Sequence, residues 1–244
     1  NIFNANELCI DNFNNSKIRI LNIYNLGQKI NHRLYNISLG KKFTNGFIRN
    51  NYDVLEISDR DFIKQNRGFS INNTYDKFQN YLIETFKNYN PNLIIFGHSN
   101  NVSLDTFDKF KNLNKNLVIS HWNEDPIMPG LEDTKINIKK ISSFSGIVDH
   151  TFITTDPSIF KKQNNDLDKL HYIFIPVDKN IECYDVYKLN PDNDIFYAMS
   201  HGVNRANLKK GKSDSRSFFL DSLIKYLSKE VNYDFYGYKN KQPI

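Results

Sequence analysis

"NLIIFGHSNNVSLDTFDKFKNLNKNLVISHWNEDP", residues 92–126, carries the pattern on which the fold depends. Two short runs, 92–97 and 116–122, read as strands, the first of them continuous in its apolar character. Strands of that kind are buried on both faces, as in a parallel sheet with helices above and below. Between them the spacing predicts a helix over 103–112, with Ser103 as its cap. Strand, helix, strand in that order is the unit of an α/β sheet.

The same alternation runs outward in both directions. Residues 17–24 and 53–58 read as strands, with a helix around 41–52 between them. Residues 73–90 place apolar side chains at 75, 78, 81, 82 and 86, a helical spacing that Pro91 ends. A helix over 136–144 leads to a strand over 150–155. Pro157 opens a further helix start, and 171–176 reads as a sixth strand. Residues 177–193 lack periodicity. After them the pattern restarts, with a strand at 194–199, a helix over about 213–229 and a strand at 233–237.

This organisation predicts a polar lead-in (1–16), a Rossmann-like domain (17–180), a linker (181–193) and the opening of a second Rossmann-like domain (194–244). About 50 residues are too few to close a second sheet of this kind. The chain also starts on Asn1 rather than Met, so a fragment with a truncated second domain is expected.

Composition narrows the classes. The chain has 244 residues, 39% hydrophobic and 24% charged, which is a globular balance. A net charge of +5 allows anionic substrates or a membrane surface without requiring nucleic acid. Cys9 and Cys183 are far apart in sequence and form no CxxC, which favours a reducing cytoplasm over a disulfide framework. No apolar run approaches a transmembrane length. The aromatic residues fall mostly in strand and helix cores, so no nucleic-acid stacking platform is expected.

Ligands of open α/β sheets sit outside the carboxyl ends of the strands. After the restart strand, residues 200–216 carry Gly202, Gly211 and the cations Arg205, Lys209, Lys210, Lys212 and Arg216 against one anion, Asp214. Glycines permit close backbone approach, and the following helix would offer free N–H groups to a phosphate. The same loop also reads as a solvated basic turn capped by Ser213 or Asp214. Neither GxxxxGK[ST] nor GxGxxG is present.

"SHWNEDP", 120–126, places His121, Trp122, Glu124 and Asp125 at a strand end. His121 or a carboxylate could serve as general base, and Trp122 could stack on a sugar. Core packing of Trp122 and a simple turn at 124–126 are the plain alternatives. His121 and Glu124 make only a two-ligand set, so no metal is expected. His98 and Ser99 could contact a sugar hydroxyl. Thr154-Thr155-Asp156-Pro157 reads as a helix N-cap, with a place at the cleft edge as the alternative. Lys139-Lys140 and Lys161-Lys162 read as solvated helix faces that could also touch anionic lipid.

Arg205-x4-Lys210-Gly211 after a Rossmann-type strand resembles the group 1 GT-B glycosyltransferases. Arg216-x-Phe218-Phe219-Leu220 followed by "YDFYG", 233–237, resembles their CgeB-like branch. The likeness is specific over about 194–237. Gly202 and Arg205 stand further apart than in the family's shorter Gly-Arg turn. The resemblance implies a GT-B fold of two doubly wound domains and a nucleotide-diphosphate sugar as donor. It implies that Arg205 and Lys210 hold the diphosphate, with Gly202, Gly211 and Lys212 shaping the loop. It turns the loop Asn25-Leu26-Gly27 toward the cleft and requires no cofactor or metal. The expected activity is sugar transfer to a glycan, lipid-linked or small-molecule acceptor in cell-envelope or surface glycan synthesis, with His121 as acceptor base. The alternatives are a GT-B epimerase or phosphorylase, or a non-catalytic glycan-binding module with a degenerate donor site.

Overall fold

The structure is a computed structural model that describes residues 17–27, 38–68, 71–127, 132–158, 169–183, 190, 192–199, 222–227 and 231–237. The chain forms two compact units, 1–183 and 184–244.

In the first unit β1 (Arg19–Tyr24), β2 (Asp53–Ser58), β3 (Leu93–Gly97), β4 (Val118–Asn123), β5 (His150–Ile153) and β6 (Leu170–Tyr172) form one parallel sheet. Its order is β2-β1-β3-β4-β5-β6. The helices are α1 (Leu39–Arg49), α2 (Asp59–Gln65), α3 (Ile71–Tyr89), α4 (Leu104–Leu113) and α5 (Glu132–Phe144).

The alternation along β1 decides which helix goes where. Ile20 and Tyr24 pack with Leu39, Phe43 and Phe47 of α1. Leu21 and Ile23 face the opposite way, onto a core that holds Phe78, Leu82 and Phe86 of α3, Phe107 and Phe110 of α4, and Phe144 of α5. Helices therefore cover both faces, and the sheet is doubly wound. On the α1 face, Gly40 is required by close approach, because a Cβ there would sit 2.0 Å from the Tyr24 ring. Asn22, fully buried, donates to the Gly40 carbonyl (3.0 Å) and to Thr44 Oγ1 (2.9 Å), which fixes α1 on β1.

Sequence spacing reads α3 and α4 well. The buried stripe of α3 is Thr74, Phe78, Leu82 and Phe86, while Tyr75 and Tyr81 of the expected apolar set are exposed. Ser103 caps α4, its Oγ accepting from Thr106 N at 3.2 Å. Two elements differ from expectation. α2, only seven residues long, follows β2 directly and carries no long apolar stripe to announce it. β6 stops at Tyr172 although the apolar run continues, and Phe174, Ile175 and Val177 are exposed. Its partner β5 ends at Ile153, so the run outlasts the strand it pairs with.

The segment after β6 returns to α1. Buried Asp178 accepts from Asn180 N (2.9 Å) and Asn45 Nδ2 (2.7 Å) and pairs with Arg49 (3.1 Å), while Lys42 contacts Glu182.

In the second unit β7 (Ile195–Met199) and β8 (Tyr233–Gly237) pair in parallel, Ile195 opposite Tyr233 and Met199 opposite Gly237. Residues 222–226 of the crossover are helical. Asp194 fixes the start of the pair, its carboxylate accepting from Asn232 N at 3.0 Å.

Candidate functional site

The chain leaves β1 for β2 on one side, then crosses back to β3 on the other. That reversal opens a crevice at the carboxyl ends of β1 and β3, the usual ligand position of such sheets. Three loops with built-in polar groups end there.

The first follows β2. Ser58 Oγ donates to Asp61 Oδ2 at 2.6 Å and accepts from Leu26 N at 3.1 Å, joining the turns after β1 and β2. Asp59 is fully buried. Its carboxylate accepts from Arg60 N (2.7 Å), Asn100 N (3.1 Å) and Asn101 Nδ2 (2.8 Å). This one side chain therefore pins the loop after β3 to the loop after β2.

The second loop is Gly97–Asn101. His98 takes a φ of 50°, a left-handed conformation unusual for a side chain with a Cβ. Arg60 Nη2 reaches the His98 carbonyl at 3.4 Å. The His98 imidazole meets the carboxylate of Glu124 from the third loop and lies edge-on to Trp122, with ring centroids 5.6 Å apart.

The third loop, Glu124–Ile127, is braced from β5. Thr154 Oγ1 donates to the Glu124 carbonyl (2.9 Å), and Thr155 Oγ1 accepts from Ile127 N (3.0 Å). Within the expected cap segment the roles divide: the two threonines hold the Glu124 loop, and Asp156 accepts from Ser158 N at 2.8 Å where the next helical turn starts. Burial, with Asp125 adding to it, pushes the Glu124 carboxyl up to about 7. Lys140 of α5 feels Asp125, Glu124 and Asp59, yet burial and the Arg60 charge hold its pKa below the ordinary value. A carboxyl that titrates near neutrality, beside an imidazole and within the field of the Lys140 ammonium, can take or give a proton at physiological pH.

His121 is not part of this set, which corrects the expected base. It is fully buried on the opposite side of β4 from Trp122, with its ring between Phe96 (4.9 Å) and Phe144 (5.3 Å). Neither ring nitrogen has a hydrogen-bond partner, and burial pulls its pKa down to about 3. Strand alternation is the reason: His121 points into the α3–α5 core, where its side chain has no exposed surface. Trp122 is also a core residue, 3% exposed, packed against Phe43 and flat on Gly97, where a Cβ would lie 2.1 Å from the indole.

Asn25 and Gly27 stand at the carboxyl end of β1, Asn25 buried and Gly27 at a φ of 69°. Gly202, Arg205, Lys210, Gly211 and Lys212 lie outside the described residues. Asp59, Arg60 and Lys140 escaped sequence reasoning. "SDRD", 58–61, was legible as charge directly after a strand; Lys140 looked like one more solvated lysine. Among the described residues, no three of His, Cys, Asp and Glu are grouped to hold a metal ion. No helix among them is long and apolar enough to cross a membrane.

No family model matches the chain. No curated protein matches it by sequence. Solved structures do. A protein described as a UDP-N-acetylglucosamine 2-epimerase from Listeria monocytogenes superposes with a TM-score of 0.51 at 11% identity, over 93% of this chain and 64% of that one. MnaA of S. aureus, solved with UDP, gives 0.53 at 12% identity, over 93% and 63%. A UDP-GlcNAc 2-epimerase from Neisseria meningitidis, bound to UDP-GlcNAc, gives 0.50 at 9% identity, over 91% and 67%. The chain thus spans less than two thirds of the length of the first two. Likeness at this identity concerns the fold, which is α/β of the GT-B type.

Proposed function

We propose that this chain belongs to an enzyme that uses a nucleotide-diphosphate sugar and transfers the sugar to an acceptor hydroxyl in surface-glycan synthesis. The observation that carries the reading is Glu124, a carboxyl with a pKa near 7 in contact with His98 at the carboxyl ends of β3 and β4. In this reading the Glu124 carboxylate accepts the acceptor's hydroxyl proton as that oxygen bonds to the sugar's anomeric carbon. The bond from that carbon to the diphosphate oxygen breaks, and its electron pair leaves with the nucleoside diphosphate. Arg205 and Lys210 are assigned to the charge developing there, which is electrostatic rather than covalent catalysis. The CgeB-like resemblance over 194–237 supports that assignment, and the proposed place of work is the cytoplasm. Asn25 and Gly27 are assigned to binding the nucleotide sugar.

A second reading is sugar epimerisation. It is favoured by the three superposed structures, whose descriptions concern UDP-sugars or UDP. There Glu124 would exchange a carbon-bound proton instead. The two separate by product analysis. The full-length protein is incubated with UDP-hexoses and UDP-N-acetylhexosamines, with and without an oligosaccharide acceptor. Transfer predicts acceptor-dependent UDP release; epimerisation predicts an isomeric UDP-sugar without any acceptor. Absence of both in the wild-type protein, or full activity in both Glu124→Gln and Arg205→Ala/Lys210→Ala, overturns the proposal.

A further inference from the structure

Beside the crevice lies a second, separate concavity. The amino-terminal halves of α3 and α4, with the loop between β3 and α4, enclose an open groove of about 680 Å³. That volume falls within the ~300–1,000 Å³ usual for small-ligand sites. In a parallel sheet the helix amino termini lie on the side of the strand carboxyl ends, so the groove opens on the same side as Glu124.

Its floor is fixed. Gln79 Oε1 accepts from Ser103 N (3.0 Å) and Thr106 Oγ1 (2.8 Å), while Nε2 donates to the Asn101 carbonyl (2.7 Å). One amide therefore locks α3 to the cap of α4. Asn101 and Asn100 are in turn bound to Asp59, next to Arg60. The loop 97–103 accordingly has two working parts: His98 reaches Glu124, and Asn100–Ser103 line the groove. Such a floor needs little reorganisation to receive a ligand.

The walls specify a ligand chemistry. Tyr75, Asp76 and Asn80 come from α3, Asn100 from the loop, and Asp105 and Lys109 from α4. Tyr75 is 38% exposed and offers a ring face. Two carboxylates against one ammonium disfavour a phosphate. The single aliphatic lining residue, Val102, is buried and leaves little for a lipid tail. Planar amides, carboxylates and one exposed phenol match a neutral chain rich in hydroxyl groups.

We infer that this groove binds a neutral oligosaccharide and, resting on the reading above, that it holds the body of a glycan acceptor whose end reaches Glu124. The full-length protein is tested by saturation-transfer NMR and calorimetry against a panel of short neutral oligosaccharides built from glucose, galactose, mannose or N-acetylglucosamine. UDP affinity is measured in parallel. Wild-type protein binds at least one member. Tyr75→Ala and Asn80→Trp, exposed positions whose variants are checked for folding by thermal melts, each weaken that binding roughly tenfold or more, with UDP affinity unchanged. Two results overturn the groove: no panel member binds, or both variants bind as wild type does. If UDP binding and nucleotide-sugar turnover are absent while oligosaccharide binding is lost in the variants, the groove stands and the enzymatic reading fails.

Discussion

At the amino end of β4 and β5, Asp149 accepts from Lys111 Nζ (2.6 Å) and from Ile119 N (2.7 Å), and Lys111 also donates to the Leu117 carbonyl (3.0 Å). At the carboxyl end of β4, Glu124 meets His98 in a buried setting that resists its ionisation. Both carboxylates stand next to a strand of the same sheet, Asp149 just before β5 and Glu124 just after β4. One accepts hydrogen bonds from an ammonium and a backbone N–H. The other is left poised between its protonated and ionised forms. The amino end shows how this sheet secures charge for stability, and the carboxyl end shows it withholding that security where proton transfer would be useful.

The largest expected effect tests the poised end. Glu124→Gln lowers the chemical step by roughly 10²–10⁴-fold, the usual contribution of a positioned general base. The wild-type rate rises with pH through about 7, the value to which burial raises this carboxyl, and the variant loses that limb. Stability moves the other way. The folded pKa lies above the reference 4.5, so the contribution of Glu124 is complete below about 4.5 and is lost as pH rises through about 7. Thermal melts of Glu124→Gln at pH 8 should therefore give a higher Tm than wild type, with the gain shrinking toward pH 4. A loss of stability at pH 8 would break the comparison.

Asp59→Ala comes next. It removes the acceptor shared by Arg60 N, Asn100 N and Asn101 Nδ2 in a fully buried place. Leaving such donors unsatisfied costs about 3 kcal/mol. The loop carrying His98 is released with them, so urea unfolding and activity should both suffer. Asp149→Asn at the opposite end is milder. The residue is part-exposed, and losing its ion pair costs about 1 kcal/mol. Its activity should match wild type, and an activity loss there would show that the two ends are not separable.

What the sequence disclosed follows from the same contrast. The strands were legible because burial on both faces writes continuous apolar runs such as 92–97. Ser103 was legible because a cap is a local event within three residues. The site was less so. "HWNEDP" named the loop that carries Glu124, but strand phase separates two of its positions: His121 points into the α3–α5 core, and Glu124, past the strand's end, does not. Strand phase fixes that choice only once the sheet is assembled. Lys140 is some sixteen residues further along, and only the packing of α5 brings its charge to Glu124.

The smallest effect gives the comparison its sharpest test, because its sign is opposite to that of Glu124. His150, first residue of β5, and His171 of β6 place Nδ1 and Nε2 2.9 Å apart. One nitrogen must carry a hydrogen and the other a lone pair, so the two rings cannot both be charged while the bond persists. Burial first, then nearby Lys169 and Lys111, lowers the pKa of His150 against the opposing pull of Asp149. Burial, then His150, lowers that of His171. Both folded values lie below 6.5, so this pair's contribution is complete above about 6.5 and is lost as pH falls below it. Acidification from pH 7 to 5 thus weakens the β5–β6 edge while it relieves the Glu124 end. The wild-type Tm carries both slopes superposed, and single variants separate them. His171→Gln, which keeps a hydrogen-bonding group at that position, should flatten the acid-side decline, whereas Glu124→Gln should steepen it. Equal slopes in all three proteins would mean that neither end of the sheet titrates as its burial requires.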